Sequence, residues 1–340
     1  MSKKIQMKLY KAILLVICIS LVGCKKNSTQ EAIQFTTPKN FPVATYPFSS
    51  NPVTTDGFLL GKKLFYDGKL SRDGTISCGS CHIQYSAFSH HGHTVSHGIE
   101  DKTGTRNAPG LQNLAWSDTY FWDGGVHNLD MVPFNPIQNP VEMDEQVANI
   151  LIKLKADATY KKMFFNAFGS EEINAMRMMQ ALSQYMNMLI SADSKYDNYI
   201  NGNTAVFSAD EVTGYNLFKT KCGSCHKEPL FTDATFKNNG MDTTIDIGRA
   251  AITLNNNDRY LFKVPSLRNI EKTAPYMHAG QIGSLEGVID HYRNSIVHSS
   301  TLDSSLQNNI QISDEEKRQL VLFLKTLTDQ TFLRNPNFSE

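Results

Sequence analysis

The pentapeptide CGSCH constrains this chain more than any other feature, because it occurs twice, at residues 78–82 and 222–226. Two cysteines separated by two residues can bind zinc, exchange a disulfide or form thioethers with a porphyrin. When a histidine follows at once, the sulfurs bind the haem vinyl groups and the imidazole becomes the proximal iron ligand. The residues assigned in this way are Cys78, Cys81 and His82 for one haem and Cys222, Cys225 and His226 for the other.

Zinc is the main alternative for the two CxxC pairs. Zinc modules usually place their pairs about 12–20 residues apart, so that a small loop closes on the metal. Here the two cysteine pairs, at residues 78–81 and 222–225, are separated by far more residues than such a loop contains. A zinc site also has no need of a histidine after each cysteine pair. The repeated motif therefore predicts two covalently bound c-type haems.

The amino terminus has the pattern of an export signal. Lysines at positions 3, 4, 8 and 11 precede the apolar run AILLVICISLV, which is too short to span a bilayer. The run ends in LVGC at residues 21–24, which resembles the lipobox of bacterial lipoproteins. The alternatives are an ordinary signal peptide or a buried helix with a chance cysteine. We expect residues 1–23 to be a lipoprotein signal peptide, with a lipid anchor at Cys24 that holds the exported protein on a membrane, facing the periplasm.

The rest of the chain predicts a mainly α protein. Residues 24–52 are rich in Ser, Thr, Asn and Pro and are expected to form a tether and an extended segment. A length of 340 residues allows two domains. We expect two cytochrome c-like helical domains, residues 53–203 and 204–340, each enclosing one covalently bound haem.

Apolar periodicity indicates where the helices lie. It predicts helices over 146–168 and 171–200. The second carries a methionine stripe that either packs in a core or hides an iron ligand. Capping boxes are predicted at Ser208 with Glu211 and at Ser313 with Glu316. Because Lys+Arg and Asp+Glu both number 33, the overall charge gives no indication of nucleic acid as a partner.

Several further motifs resemble those of the bacterial di-haem cytochrome c peroxidase family, which includes the related enzyme that matures methylamine dehydrogenase. The resemblance extends over nearly the whole exported chain from about residue 55. Besides the two CGSCH motifs, the matching stretches are RNAP (106–109), FWDG (121–124), NPVEM (139–143), VPSLRN (264–269) and APYMHAG (274–280).

This resemblance implies roles for individual residues. Glu142 falls on the acid/base glutamate of the peroxide pocket, where a carboxylate can carry a proton between the peroxide oxygens. Trp122 falls on the tryptophan between the haems, where an indole can relay electrons. Pro136 matches another pocket position, whereas Val132 stands where members often carry glutamine. A calcium ion between the haems would be held by the Asn107 side chain and the carbonyl groups of Thr273 and Pro275.

The sixth iron ligands decide what a haem can do. Tyr292 stands where ordinary members carry the methionine that closes the second haem, which is similar to the methylamine dehydrogenase maturation enzyme. His291 is the alternative ligand there. His97 aligns with a histidine that caps the first haem in the resting state of many members, although it also reads as one of several exposed loop histidines.

Three functions fit this pattern. In the first, the protein is a cytochrome c peroxidase, which reduces hydrogen peroxide at the N-terminal haem with electrons that enter at the C-terminal haem from a small donor protein such as a cytochrome c. In the second, it is a tyrosine-liganded oxidase that modifies a protein or small substrate through a bis-ferryl state. In the third, it is a two-haem electron carrier without catalysis. A homodimer is compatible with each.

Overall fold

The structure is a computed structural model that describes residues 33–241 and 245–340. The expected signal peptide and Cys24 lie outside the described residues. The fold is mainly helical, as predicted. In chain order the α-helices of the described residues are α1 Thr55–Tyr66, α2 Cys78–Cys81, α3 Phe134–Gln138, α4 Val147–Lys155, α5 Ala158–Phe168, α6 Ala175–Asn187, α7 Lys195–Ile200, α8 Ala209–Lys221, α9 Ala250–Thr253, α10 Leu285–Asn294, α11 Asp314–Lys325 and α12 Gln330–Leu333. Strand β1, Phe236–Lys237, pairs antiparallel with β2, Phe262–Lys263.

Capping residues determine where several helices begin. Ser208 and Ser313 each accept a hydrogen bond from the backbone three residues later, and both predicted capping boxes are present. The two long helices predicted over 146–168 and 171–200 are each divided. Asp157 caps a new helix, α5, by accepting from Thr159 N, and Ser194 does the same for α7 through Asp197 N.

Two pairs of helices cross at a glycine. A Cβ atom on Gly61 of α1 would lie 1.9 Å from the carbonyl oxygen of Ala181 in α6. A Cβ atom on Gly214 of α8 would lie 2.0 Å from the carbonyl oxygen of Gln319 in α11. Only glycine permits such a close approach of two backbones. Each helix that leads to a CGSCH motif is therefore fixed against the last long helix of its own half in the same way.

The buried apolar side chains form two clusters. The first is built largely from residues between Phe41 and Leu189, and the second from residues between Tyr196 and Leu327. Three side chains from the carboxyl-terminal segment, Phe332, Leu333 and Phe338, belong to the first cluster. The domain bounds at residues 203 and 204 stay a prediction.

The methionine stripe is mostly core. Met179 and Met186 of α6 are buried in the first cluster, whereas Met176 is 70% exposed. The segment before α1 also packs on this half, because Phe41 meets the Trp116 ring edge-on at 4.9 Å. No helix among the residues described here has the length and apolar character needed to cross a bilayer.

The segments 107–136 and 263–292 repeat one local structure without insertion or deletion. Asn113 and Asn269 both adopt left-handed backbone angles, with φ of 61° and 60°, directly before a 3-10 helix. Further on, isolated antiparallel bridges join Tyr120 to Val126 and Tyr276 to Ile282. Positions that the repeat makes equivalent are Asn107 with Lys263, Ser117 with Thr273, Thr119 with Pro275, Trp122 with His278, and Pro136 with Tyr292.

Candidate functional site

The two motif histidines are oriented by main-chain carbonyl groups. His82 Nδ1 lies 2.7 Å from the carbonyl oxygen of Phe88, and His226 Nδ1 lies 3.1 Å from that of Phe231. Burial lowers the pKa of each imidazole, which favours the neutral form. With Nδ1–H donated to a carbonyl, Nε2 carries the free lone pair that a metal requires.

The surroundings of these histidines fit a covalently bound haem. All four motif cysteines are free of disulfides. The cysteines and both histidines are enclosed by protein, yet each keeps an intermediate accessible surface, so each faces a cleft and not a packed core. Two thiols and one correctly oriented imidazole at each cleft are the donor set of a c-type haem.

Glu142 lies close to the first of these motifs. Its charge is one of the influences that raise the pKa values of the Cys78 and Cys81 thiols, behind their burial. Burial raises the pKa of Glu142 itself, and hydrogen bonding to Ser96 and Asn139 opposes the rise. Ser96 Oγ donates to Glu142 Oε1 at 3.2 Å. The structure thus brings a partly buried carboxyl group to the first motif.

Gly98 holds the backbone of Glu142 in place. A Cβ atom on Gly98 would lie 2.4 Å from both Cα and the carbonyl oxygen of Glu142. The next residue, Ile99, donates its amide to that same carbonyl oxygen at 2.9 Å. The segment 96–99 therefore fixes Glu142 through a side-chain hydrogen bond, a main-chain hydrogen bond and a close backbone contact.

Tyr292 of α10 lies close to the second motif. Burial raises the pKa of its phenol to about 12, and the neighbouring Cys222 and Cys225 thiols contribute to the rise. Asn239 Nδ2 lies 3.4 Å from both the Tyr292 hydroxyl and Met277 Sδ. The Tyr292 hydroxyl group and the Met277 sulfur therefore both lie next to the side-chain amide of Asn239.

His291, the alternative ligand, has another partner. Its Nε2 lies 2.9 Å from the carbonyl oxygen of Asn239, and burial lowers its pKa. An Nε2–H that donates to a carbonyl has no lone pair to offer to iron. In that tautomer Nδ1 keeps the lone pair, so the contact removes only Nε2 of His291 as a ligand of the second haem.

Trp122 lies at the junction of the two repeated segments. Its indole Nε1 donates to the carbonyl oxygen of Asn107 at 2.9 Å, and its own carbonyl oxygen accepts from Lys263 N at 2.7 Å. The next residue, Asp123, pairs with Arg106, which also forms an ion pair with Asp246. The tryptophan is therefore attached to both halves of the chain.

The predicted cap, His97, stands in a row of histidine rings. Its ring centroid is 4.5 Å from that of His93, and the His93 ring stacks on His90 at 4.3 Å. Burial, followed by the charges of His93, His97 and His82, lowers the pKa of His90 to about 4. Within the described ranges no three His, Cys, Asp or Glu side chains form a metal-binding group.

Among the described residues, no hydrogen-bond donor occupies the oxygen atoms that the resemblance assigns to calcium. Asn107 Nδ2 donates to the carbonyl oxygens of His93 and Thr94, at 3.3 and 3.1 Å, and no described residue donates to Oδ1. No described residue donates a hydrogen bond to the carbonyl oxygen of Thr273 or Pro275. Hard oxygen ligands of this kind suit Ca²⁺.

Sequence reasoning missed four residues that shape these sites. They are Ser96 and Gly98 beside Glu142, Asn239 beside Tyr292, and Lys263 beside Trp122. Lys263 directly precedes the VPSLRN motif, and comparison of that motif with the related stretch APGLQN could have revealed it. The others lie in loops with no periodic signal.

The geometry defines a class of protein: a helical c-type cytochrome fold with two haem-attachment sites, a partly buried carboxyl group at one and a partly buried phenol at the other. Comparison with known proteins gives the family. Residues 55–205 match the family described as di-haem cytochrome c peroxidase. The methylamine utilization protein MauG of Methylorubrum extorquens is 36% identical over 302 residues, covering 86% of this chain and 83% of the relative.

Two further similarities agree. The cytochrome c551 peroxidase of Nitrosomonas europaea is 35% identical over 293 residues, which cover 84% of each protein. The crystal structure of a MauG-like protein associated with microbial copper homeostasis superimposes with a TM-score of 0.83 at 33% identity, covering 91% of this chain and 99% of the other. The chain belongs to the di-haem cytochrome c peroxidase family, whose members are peroxidases or MauG-like oxidoreductases.

Proposed function

We propose that the protein is a di-haem peroxidase, which reduces hydrogen peroxide to water beside Glu142 with electrons from a small donor protein such as a cytochrome c. When bound, the haems supply redox-active iron, one to react with peroxide and one to exchange electrons with the donor. The observation that carries the proposal is the partly buried carboxyl group of Glu142 at the first motif.

Glu142 is suited to moving a proton between the two peroxide oxygens. Its carboxyl oxygen Oε1 is held by the Ser96 hydroxyl at 3.2 Å, so its orientation is set before peroxide arrives. Burial raises its pKa above the usual value of 4.5, which makes the carboxyl group a better proton acceptor than an exposed glutamate. An electron carrier gains nothing from such a group.

The repeated segments support different tasks for the two haems. Tyr292, on α10, presents a phenol close to Cys222 and Cys225. The equivalent position in the first half is Pro136, on α3, whose side chain has no atom that can ligate a metal. One haem would then be closed and suited to electron transfer, whereas the other would keep a face for peroxide. Trp122, attached to both halves, would relay the electrons.

Tyr292 favours a second candidate, a tyrosine-liganded oxidase that takes its electrons from a protein or small substrate. A phenolate oxygen is a harder ligand than a thioether and stabilises higher oxidation states of iron. Similarity to MauG and to a MauG-like protein supports this candidate, and similarity to the cytochrome c551 peroxidase supports the first.

Stopped-flow mixing of the purified two-haem protein with hydrogen peroxide and a reduced small cytochrome c separates these functions. Catalytic oxidation of the cytochrome supports the peroxidase. Rapid consumption of one equivalent of peroxide without cytochrome oxidation, followed by a long-lived oxidised protein, supports the oxidase. An unreactive protein whose two ferric haems are both low-spin would exclude both enzymes and leave the electron carrier.

Export, anchoring and calcium also belong to this proposal. A lipoprotein held at Cys24 on the periplasmic side would meet small soluble donors there, and metabolic labelling with a fatty acid tests the anchor through Cys24→Ser.

Calcium at Asn107, Thr273 and Pro275 would sit between the halves. His97 would act as a reversible cap of the first haem, and dimerisation would be measured by light scattering.

A further inference from the structure

Lys263 is a partly buried cation at the junction of the two halves. Its Nζ donates to Ser117 Oγ and to the carbonyl oxygen of Thr119. None of the ion pairs of the described residues includes it. Burial lowers the pKa of Lys263 to about 8, so the amine is charged at neutral pH. The charge of Asp118 opposes this lowering, yet Asp118 forms no ion pair with Lys263, and a partly buried ammonium group without a direct carboxylate partner calls for a specific reason.

The internal repeat supplies that reason. Lys263 is equivalent to Asn107, and the residues that accept from it, Ser117 through its hydroxyl group and Thr119 through its carbonyl group, are equivalent to Thr273 and Pro275, which are assigned to calcium through their carbonyl groups. Asn107, Thr273 and Pro275 are the residues whose free oxygens suit calcium. The positions around Lys263 therefore repeat those of the calcium site, with an ammonium group where the other copy would hold a metal ion.

Main-chain hydrogen bonds show that the two environments correspond. Asn107 N donates to the carbonyl oxygen of His278 at 2.8 Å, and Lys263 N donates to that of Trp122 at 2.7 Å. Each amide thus donates to a residue of the opposite half, and the two acceptor residues, Trp122 and His278, occupy equivalent positions in the repeat. The side chain of each donor residue starts from the same place relative to the loop that it faces.

We propose that the Lys263 ammonium is a built-in substitute for a second calcium ion, and that it fixes the loop 117–122 that carries Trp122. In the other copy, calcium would fix the loop 273–278 that carries His278. Lys263 is a positioning residue, because it acts through the loop backbone. The inference rests on the calcium site at Asn107 and is independent of which substrate the enzyme oxidises.

The test uses the two-haem protein in four forms: wild type, Lys263→Met, Lys263→Asn and Lys237→Met. Lys237 lies on the neighbouring strand β1 and pairs with Asp303, so it is a matched control. Bound calcium is counted by atomic emission after equilibration with millimolar calcium and gel filtration. Thermal unfolding is followed with calcium and with chelator.

We expect Lys263→Met to unfold at least about 3 °C below the wild type in both conditions, with unchanged calcium content. Lys263→Asn, which recreates the ligand of the other copy, should bind one calcium ion more than the wild type. Calcium should restore at least half of its lost thermal stability. Lys237→Met should keep the calcium content and the calcium response of the wild type.

Three results would overturn the proposal. They are a wild type without bound calcium, a Lys263→Met protein that unfolds at the wild-type temperature, and a Lys263→Asn protein that gains neither a calcium ion nor extra stabilisation by calcium. Because none of these measurements uses turnover, a failure of the proposed peroxide reaction would leave them unchanged and is distinguished from a failure here.

Discussion

Trp122 and His278 occupy equivalent positions in the two repeated segments, and each gives its carbonyl oxygen to an amide of the opposite half. The amide of Asn107 donates to the carbonyl oxygen of His278, and the amide of Lys263 donates to the carbonyl oxygen of Trp122. The backbone of the junction is therefore duplicated, whereas its side chains differ. The indole donates to the first half through Asn107, and the imidazole stacks on Phe262 at 3.8 Å. One scaffold thus presents two chemically different rings at the junction of the two repeated segments.

Replacing Glu142 tests the proton shuttle. Glu142→Gln keeps the shape of the side chain but cannot accept a proton, so we expect the rate of peroxide reduction to fall by about 10²–10⁴-fold. Haem content should stay the same. Glu100→Gln, at an exposed residue that pairs with Arg72, is the control and should retain the wild-type rate. Retention of the full rate by Glu142→Gln would contradict the assigned role.

The same residue predicts a pH dependence. A base must be ionised to accept a proton, and burial raises the pKa of Glu142 above its usual value of 4.5. The rate should therefore fall as the pH drops through that raised pKa, at a pH above 4.5. Rate profiles between pH 4 and 8 should show this acid limb in the wild type and lack it in Glu142→Gln.

Replacing Tyr292 tests the ligand of the second haem. Tyr292→Met exchanges a hard oxygen for a thioether, which favours ferrous iron, so the reduction potential of that haem should rise by at least about 100 mV. Spectroelectrochemical titration and electron paramagnetic resonance of both ferric haems measure the change. Tyr199→Phe, in the same half but stacked on Phe207, should leave both spectra as in the wild type.

Replacing Trp122 tests the electron relay. The chain contains two tryptophans, and each donates its indole N–H to a main-chain carbonyl, Trp122 to Asn107 and Trp116 to Pro42. Trp122→Phe should slow reduction of the oxidised first haem by at least tenfold in single-turnover mixing, whereas Trp116→Phe should not. Equal slowing in both variants would indicate a general packing defect.

Replacing Gly98 tests how Glu142 is positioned. An added methyl group would overlap the backbone of Glu142, so Gly98→Ala should displace the carboxyl group and lower the rate of peroxide reduction by at least about tenfold. Gly283→Ala, where the added atom meets nothing within 4 Å, is the matched control. Equal rates in the two variants would show that the close contact does not position Glu142.

The buried ion pair between Arg268 and Asp197 provides a stability prediction. The two side chains are 0% and 3% exposed. Burial tends to raise the pKa of Asp197, but Arg268 outweighs this effect and the pKa is lowered. Arg268→Met would leave the carboxylate unpaired and should reduce the free energy of unfolding by about 3–5 kcal/mol in denaturant titrations.

The double variant Arg268→Met with Asp197→Leu should lose much less stability, because no charge remains buried. Since the folded-state pKa of Asp197 is lowered, the contribution of the pair is present above the usual value of 3.8 and is lost as the pH falls through the lower folded-state value. A double variant less stable than Arg268→Met would contradict this account.

The sequence predicted the parts of the site that rest on fixed spacing. The CGSCH motifs predicted His82 and His226 as haem ligands, and the structure gives each a carbonyl partner for Nδ1, which is compatible with that prediction. Capping boxes at Ser208 and Ser313 were predicted because a cap is a local interaction over four residues. The roles of Glu142, Trp122 and Tyr292 stay predictions that the geometry supports.

Longer-range features were harder to predict. Single helices over 146–168 and 171–200 were wrong, because the caps at Asp157 and Ser194 lie inside continuous apolar patterns. The repeat of segments 107–136 and 263–292 was not predicted. Many of its equivalent positions carry different side chains, such as Lys263 and Asn107, so the sequence similarity is confined to short stretches such as APGLQN and VPSLRN, whereas the backbone hydrogen bonds show the correspondence directly.

The carboxyl-terminal segment has a consequence for how the molecule can be divided. Phe332, Leu333 and Phe338 complete the core around the first motif, and the Phe338 carbonyl oxygen accepts from the hydroxyl groups of Tyr66 and Tyr185. A fragment that stopped at residue 203 would lack this lining and leave two buried hydroxyl groups without their acceptor. The first half, which bears Glu142, is completed by residues that follow the second half in the chain, so the first half cannot be excised as an independent piece.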